Sequence, residues 1–313
     1  MPLPVKILLI VLAIFVAIML ICFVFTYYIF KKAFGRSNKS IVEDSPLYSP
    51  YIDEMHKSVD SFKSLPLEEV WITSNDNLKL FGYLYEVPNA KATAIFMHGY
   101  HGHGICDFSV VLKYFIEKNI SILIPDQRTH GKSEGKYLTF GVRESEDCAL
   151  WAHYVAKRFP SRPIHLHGLS MGGAVVGMAS AENLPKEVKT IFNDCGFTSP
   201  DAIIASVRKQ MKLPAFPFQY YVRFLAKVLA KFSLKEKNAA DCYAKCDLPC
   251  FFLHGEADNF VPCYMGKENY SRCKSKHKYL LTVEGAGHAL AYMSDREHVT
   301  GEISDFLDTY LLN

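Results

Sequence analysis

The pattern of apolar and polar positions divides the chain into two unlike parts. Residues 7–30 form an uncharged run in which every residue except Thr26 is apolar or aromatic. Beyond residue 65, short runs rich in β-branched residues alternate with longer amphipathic stretches. The first pattern is typical of a membrane-spanning helix, and the second is typical of strands that alternate with helices.

The second part predicts a regular α/β architecture. Buried parallel strands are short and almost wholly apolar because helices cover both faces of their sheet, and residues 94–97 fit this description. The alternation predicts an α/β fold with a mostly parallel, eight-stranded sheet and helices on both faces. The predicted strands are 69–73, 78–86, 92–98, 121–125, 164–168, 189–193, 250–254 and 279–283. The predicted helices are 109–118, 142–158, 171–181, 265–274 and 296–312.

We divide the chain into a transmembrane anchor (7–30), a polar stalk with a short helix (31–65) and a main domain (66–313). Residues 197–245 interrupt the alternation, since they contain aromatic and basic helical windows in place of a strand. An insertion at this point would lie above the carboxyl edge of the sheet, where open α/β sheets bind ligands. We interpret it as a lid.

The apolar run is long enough for a single-pass anchor. Its 24 residues would form a helix of about 36 Å, which exceeds a hydrocarbon core of about 30 Å. A cleaved signal peptide would have a shorter apolar region and a small-x-small cleavage site, and the run has neither. Four basic residues follow the run and one precedes it, which favours a main domain on the cytoplasmic side. The opposite orientation stays open, because N-terminal anchors also export domains.

Charge adds to this division. The chain has 35 Lys and Arg residues against 32 Asp and Glu residues, but five of the basic residues precede Glu43, the first acidic one. The rest of the chain is therefore slightly acidic and has no basic stripe of the kind that binds nucleic acid. An apolar fraction of 50% excludes a disordered chain.

The strongest chemical signal is a G-x-S-x-G motif, Gly168 to Gly172, between a predicted strand and a predicted helix. A serine at such a turn has a strained backbone, and the flanking glycines allow the strand and the helix to pack closely. The helix N-terminus provides free N–H groups for developing negative charge. Ser170 is therefore the predicted nucleophile.

A serine hydroxyl needs a base and an acid that orients the base. In this architecture the acid precedes the histidine along the chain, and both follow strands. Asp258 follows the strand 250–254 and His288 follows the strand 279–283, which predicts a triad of Ser170, His288 and Asp258. Asp194, at the end of the preceding strand, is the alternative acid.

The oxyanion hole is expected to use the backbone N–H of Met171 and that of Tyr100, in the loop after the strand 92–98. His98, His101 and His103 in this loop do not have a standard zinc-ligand spacing, and Cys242, Cys246 and Cys250 are interpreted as buried apolar thiols. We expect no metal and no cofactor.

From about residue 69 onwards, the chain resembles serine hydrolases of the α/β-hydrolase fold. It is similar to the bacterial branch that includes monoacylglycerol-lipase-like and serine-aminopeptidase-like enzymes. The shared motifs are G-L-S-M-G-G at 168–173, D-Q-R-T-H-G-K-S-E-G at 126–135, and the blocks around Asp258 and His288. The resemblance implies that residues 126–133 form a structural loop, so that His130 and Ser133 are not catalytic.

These observations predict a membrane-anchored serine hydrolase of carboxylic esters, acting on a small-molecule or lipid-like acyl substrate. The aromatic and basic residues of the lid favour lipid-like esters, although they could equally serve to pack the lid on the core. A peptidase or amidase of the serine-aminopeptidase type is the first alternative, and a non-catalytic receptor of the same fold is the second. The sequence leaves the oligomeric state open.

Overall fold

The computed structural model describes residues 2–37 and 46–313. Its eight strands form one sheet with the order β1-β2-β4-β3-β5-β6-β7-β8. Strand β2 runs antiparallel to its neighbours β1 and β4, and the remaining neighbours are parallel. The strands are β1 (Glu68–Thr73), β2 (Lys79–Tyr85), β3 (Ala92–Met97), β4 (Ile120–Pro125), β5 (Ile164–Leu169), β6 (Val188–Asp194), β7 (Cys250–Gly255) and β8 (Lys278–Val283).

Helices cover both faces of this sheet, and every residue of β3, β4, β5 and β7 is buried. A 3-10 helix, Pro46–Tyr51, precedes the second α-helix. The α-helices of the described residues are α1 (Leu3–Phe34), α2 (Ile52–Lys63), α3 (Gly104–Glu117), α4 (Val142–Arg158), α5 (Met171–Ala179), α6 (Pro200–Gln210), α7 (Phe218–Leu229), α8 (Ala239–Tyr243), α9 (Cys263–Arg272), α10 (Ala291–Ser294) and α11 (Arg296–Tyr310).

The predicted mostly parallel, eight-stranded sheet is confirmed, and each strand lies within two residues of its predicted bounds. The largest difference is the start of α3, which begins at Gly104 instead of residue 109. The sequence before residue 109 is rich in glycine and histidine, which is typical of a loop. In the structure Gly104 is needed at that point, since a Cβ there would lie 2.2 Å from Ile124 Cγ2.

Helix α1 extends past both ends of the predicted span 7–30. By length and composition it could cross a membrane. Its residues 3–18 are exposed, whereas Thr26, Phe30 and Phe34 are buried against the rest of the molecule.

The chain that follows α1 also lies against the main domain. Gly35 forms an antiparallel bridge with Tyr137, and the Arg36 guanidinium donates hydrogen bonds to the carbonyls of Gly131 (2.9 Å) and Ser133. Residues 38–45 of the predicted stalk lie outside the described residues. The division at residues 30 and 65 stays a prediction, but the structure joins these segments through contacts.

Between β6 and β7 the chain forms α6, α7 and α8, so helices fill the predicted insertion. Helix α7 packs along α1. The Phe23 ring contacts the Tyr221 ring edge to face at 5.2 Å between centroids, and the Tyr221 hydroxyl donates to the Met19 carbonyl at 3.2 Å. The insertion and the N-terminal helix therefore form one surface above the carboxyl edge of the sheet.

Candidate active site

Ser170 lies on the turn between β5 and α5, with φ 55° and ψ −114°, a region that L-residues rarely occupy. Two glycines make this turn possible. A Cβ on Gly172 would lie 1.7 Å from the Met97 carbonyl oxygen, and one on Gly168 would lie 2.0 Å from the Gly172 carbonyl oxygen. The Ser170 N–H donates to the Asp194 carbonyl at 2.8 Å, which fixes the turn to the end of β6. The hydroxyl is thereby held above the sheet by backbone contacts.

The structure brings the three predicted triad residues together. His288 Nε2 lies 2.9 Å from Ser170 Oγ, and His288 Nδ1 lies 2.6 Å from Asp258 Oδ2. An ionised carboxylate can only accept hydrogen bonds, so Nδ1 carries the proton that it donates to Asp258. In the neutral imidazole Nε2 is then free to accept the Ser170 hydroxyl. This is the tautomer that a general base requires.

Asp258 is held in its charged form. Burial works against the charge, but hydrogen bonds from His254 and His288 outweigh it and lower the pKa of Asp258 to about 2. Its Oδ1 accepts the N–H groups of Phe260 at 2.9 Å and Val261 at 2.8 Å. The carboxylate is thus fixed in position by three donors, and His254 Nε2, which lies 2.9 Å from the Val261 carbonyl oxygen, is 3.4 Å from Oδ2.

Asp194, the alternative acid, makes no hydrogen bond to the described side chain of His288. Its carboxyl group is buried, and burial raises its pKa to about 7. Its Oδ1 has no hydrogen-bond partner among the described residues. Of the two acids, Asp258 therefore has the geometry of an orienting carboxylate.

The two predicted oxyanion donors belong to segments that adjoin Ser170. Met171 is the first residue of α5, so its N–H has no acceptor within the helix. The loop after β3 also comes close to Ser170, since a Cβ on Gly99 would lie 3.6 Å from Ser170 Cβ. Tyr100 follows in that loop, and its side chain turns to α1, where the hydroxyl donates to the Ala33 carbonyl at 2.9 Å.

His98 and His101 of this loop form hydrogen bonds with the backbone. The Gln127 N–H donates to His98 Nε2 at 3.0 Å, and His101 Nε2 lies 3.1 Å from the Gly35 carbonyl oxygen. Burial lowers the pKa of His101. These contacts agree with a structural role for both rings.

Among the described residues, one group has the spacing of possible metal ligands: ligand atoms of Cys195, Asp258 and His288 lie within 4.8 Å of one another. Asp258 and His288 already form a hydrogen bond with each other. Burial raises the pKa of the Cys195 thiol well above its usual value, which disfavours the thiolate that binds metals. The geometry fits a hydrogen-bonded triad better than a metal centre.

A cavity of about 190 Å³ extends from Ser170 between α1 and the helical insertion. The described residues that line it include no Asp or Glu, and most are apolar; the polar side chains are those of Thr26, Tyr100, Ser170, Arg208 and Gln219. The part contributed by α1 consists of Thr26, Ile29, Phe30, Ala33 and Phe34. Sequence reasoning did not find this wall, because it treated α1 as an anchor separate from the main domain.

Two further residues position the site and have no motif that would reveal them. The carboxyl group of Asp107, a half-buried residue, accepts the Gly99 N–H at 2.8 Å and so holds the loop that carries Tyr100. Tyr48 is buried, and its hydroxyl donates to the His288 carbonyl at 3.3 Å. Both act on backbone beside the triad.

The strand order, the serine on the β5–α5 turn, and the acid and histidine after β7 and β8 define the α/β-hydrolase fold, as the sequence predicted. Residues 88–232 match the family model described as serine aminopeptidase, S33. The matched span includes Ser170 and ends before Asp258 and His288.

Several known proteins are similar to this chain over most of its length. Uncharacterized protein YqkD of Bacillus subtilis is 24% identical over 267 residues, which cover 85% of this chain and 87% of the relative. YNL320W of Saccharomyces cerevisiae, described as an uncharacterized membrane protein, is 23% identical over 241 residues, 74% of this chain and 77% of its own. The solved structure of esterase Pf2001 from Pyrococcus furiosus has a TM-score of 0.65 and 24% identity, covering 80% of this chain and 94% of that one. At this identity the structural likeness is one of fold.

Proposed function

We propose that the protein is a serine hydrolase that cleaves carboxylic esters through an acyl-enzyme intermediate. The observation that carries the proposal is the continuous hydrogen-bonded series from Ser170 Oγ through His288 to Asp258, with distances of 2.9 and 2.6 Å. This series opens into the apolar cavity, so that an acyl carbonyl can reach the hydroxyl.

The reaction follows from the positions of these groups. Ser170 Oγ attacks the acyl carbonyl carbon while His288 Nε2 takes the hydroxyl proton, and the N–H groups of Met171 and Tyr100 stabilise the oxyanion. His288 then gives the proton to the departing alcohol oxygen. In the second half, His288 takes a proton from water, the hydroxide attacks the acyl carbon, and Ser170 recovers its proton as the carboxylic acid leaves.

The cavity favours an apolar acyl group. An amine terminus, the feature that an aminopeptidase must recognise, needs an acidic or hydrogen-bonding partner. Among the described residues that line the cavity there is no Asp or Glu, and the charged one is Arg208, which would repel an amine terminus. The side-chain amide of Gln219 is the lining group that could accept a hydrogen bond from such an amine. The likeness to an esterase agrees with an ester substrate, whereas the name of the matched family model makes an aminoacyl amide the second candidate.

We also propose that α1 is a single-pass membrane anchor. One similar protein is described as a membrane protein, and α1 has the necessary length and composition. Lys31, Lys32 and Arg36 follow the apolar run, so the excess of basic residues favours a main domain on the cytoplasmic side.

The test is labelling and turnover of the full-length protein in detergent micelles. A fluorophosphonate probe should label the wild type and the control Ser180→Ala, whose half-buried hydroxyl lies at the end of α5. It should not label Ser170→Ala, because the attacking oxygen is missing. p-Nitrophenyl butyrate should be cleaved faster than alanine p-nitroanilide. Labelling that persists in Ser170→Ala would falsify the proposed nucleophile, and faster cleavage of the anilide would favour the peptidase.

A further inference from the structure

We propose that α1 is part of the acyl-binding site and that the acyl chain of the substrate enters from the lipid bilayer, between α1 and α7. The substrate is then an ester whose chain resides in the membrane. This inference rests on the proposed ester hydrolase. It adds that the anchor helix selects the length of the acyl chain.

The first support is the inward face of α1. Its cavity-lining residues occupy positions 26, 29, 30, 33 and 34, the i, i+3, i+4, i+7, i+8 pattern of one side of a helix. Phe30 and Phe34 are 1% and 2% exposed, and their rings stack at 4.1 Å between centroids. Since Ser170 lines the same cavity, this face of α1 and the nucleophile contact the same space. A change in the size of an inward-facing α1 residue therefore changes the room for an acyl chain.

The second support is the depth at which α1 meets the main domain. Residues 3–18 are exposed, and contacts with α7 begin at Met19. A stretch of 16 residues rises only about 24 Å, whereas the hydrocarbon core is about 30 Å thick. The exposed residues are therefore too few to cross the hydrocarbon core alone. If α1 spans the bilayer, the turns that contact α7 must also lie within the hydrocarbon. This places the outer face of α7 at the boundary of the hydrocarbon.

The third support is the outer face of α7 itself. Tyr220, Phe224 and Val228 lie four residues apart, on one side of the helix, and are 58%, 54% and 44% exposed. Phe216 precedes them with 57% exposure. A continuous apolar row of this kind is unfavourable in water and is typical of a helix that lies in a membrane interface. The Phe224 ring lies 6.4 Å, between centroids, from that of Phe23 in α1, so the row adjoins the proposed membrane helix and the occupant we assign to it is the bilayer.

Chain-length selection tests the role of α1. Full-length protein in phosphatidylcholine vesicles is assayed with p-nitrophenyl esters from acetate to dodecanoate. Ala33→Phe should lower the ratio of kcat/KM for decanoate to that for acetate by about tenfold, since each methylene kept out of apolar surroundings costs roughly fourfold. The matched control Ala17→Phe adds the same ring to the exposed part of α1, and its ratio should stay at the wild-type value.

A variant with the opposite effect separates selection from damage to the fold. Ile29 is half-buried and lines the cavity, so Ile29→Ala should raise the ratio of dodecanoate to decanoate. Equal profiles for wild type, Ala33→Phe and Ile29→Ala, with turnover that still depends on Ser170, would overturn the role of α1 and leave the proposed hydrolase intact. Absence of Ser170-dependent turnover of every ester would overturn both.

Fluorescence quenching tests entry from the bilayer. Phe224→Trp in vesicles of brominated phosphatidylcholine should be quenched well beyond the wild type, which contains only Trp71 and Trp151. The control Tyr279→Trp places the indole on β8, near the sheet edge opposite Ser170, and should not be quenched beyond the wild type. Equal quenching of the two variants, or none, excludes a membrane-embedded α7. If a second copy of the chain covered the apolar row of α7, Phe224→Trp would likewise not be quenched.

Discussion

Asp258 and Asp194 are two buried carboxyl groups near one histidine, and their surroundings give them different properties. Asp258 receives hydrogen bonds from His288 and two backbone N–H groups and lies close to His254, and its pKa is about 2. Asp194 has an oxygen without a partner among the described residues, and burial raises its pKa to about 7. The first is suited to orient an imidazole and to balance its positive charge. The second favours the neutral form.

Isosteric amides should separate the two acids. Asp258→Asn cannot accept the Nδ1 proton of His288 as a carboxylate does, and it should lower kcat for p-nitrophenyl butyrate by about 10³–10⁴-fold. Asp194 makes no hydrogen bond to the His288 ring, so the kcat of Asp194→Asn should stay within about tenfold of the wild type. Steady-state kinetics at pH 7.5 measure both. A larger loss in Asp194→Asn than in Asp258→Asn would reverse the assignment.

The raised pKa of Asp194 also predicts a dependence of stability on pH. Because the folded protein holds the Asp194 proton more tightly than the unfolded chain, this group stabilises the fold most at low pH. That contribution is lost as the pH rises from about 4, the unfolded value, to the folded pKa of about 7. The difference in unfolding free energy between wild type and Asp194→Asn should fall over this range, by at most about 4 kcal/mol, and level off above it.

Urea denaturation at intervals from pH 4 to pH 8, in a constant detergent, measures this difference. Comparison with Asp194→Asn removes the contributions of the other titrating groups. A difference that is independent of pH would mean that Asp194 is ionised throughout.

At the scale of elements, the strands were predictable because their apolar composition reflects burial on both faces. The proximity of Ser170, Asp258 and His288 was predictable because each follows the carboxyl end of a parallel strand. The inward face of α1 was not predictable. A helix that is apolar on all sides has no polar face, so the pattern does not show which positions contact protein and which contact lipid. Tyr48 was missed because it acts on backbone 240 residues away, and Asp107 because no motif marks its bond to Gly99 across the turn before α3.

Close packing at the turn between β5 and α5 should make Gly172 difficult to replace. A Cβ in Gly172→Ala would lie 1.7 Å from a backbone oxygen that cannot move freely, and we expect a loss of about 2–4 kcal/mol in stability. Gly301→Ala is the matched control, because Gly301 lies in α11 with nothing within 4 Å of its Cβ position. It should gain about 0.5–1 kcal/mol from helix propensity. Thermal unfolding of both variants measures the contrast, and equal stabilities would contradict the close packing of the turn.

At the scale of the whole molecule, the N-terminal helix and the main domain share one hydrophobic core. Phe30 and Phe34 belong to the cluster that includes Leu138, Phe140 and Phe232. The Phe34 ring contacts that of Phe140 at 4.9 Å between centroids. Helix α1, which carries Lys6, Lys31 and Lys32, therefore contributes both to the hydrophobic core and to the cavity.

This arrangement predicts opposite outcomes for two deletions. Removal of residues 2–18 takes away only exposed helix and should change Tm in detergent by no more than about 2 °C. Removal of residues 2–34 also takes away Phe30 and Phe34, which are each worth about 3–5 kcal/mol when buried, and should lower Tm by roughly 10–20 °C. The shorter deletion should in addition keep the preference for long acyl esters in micelles, because the wall of the cavity from Thr26 to Phe34 is intact. Equal Tm values for the two deletions would show that α1 is a detachable anchor, and the helix would then have no part in the core.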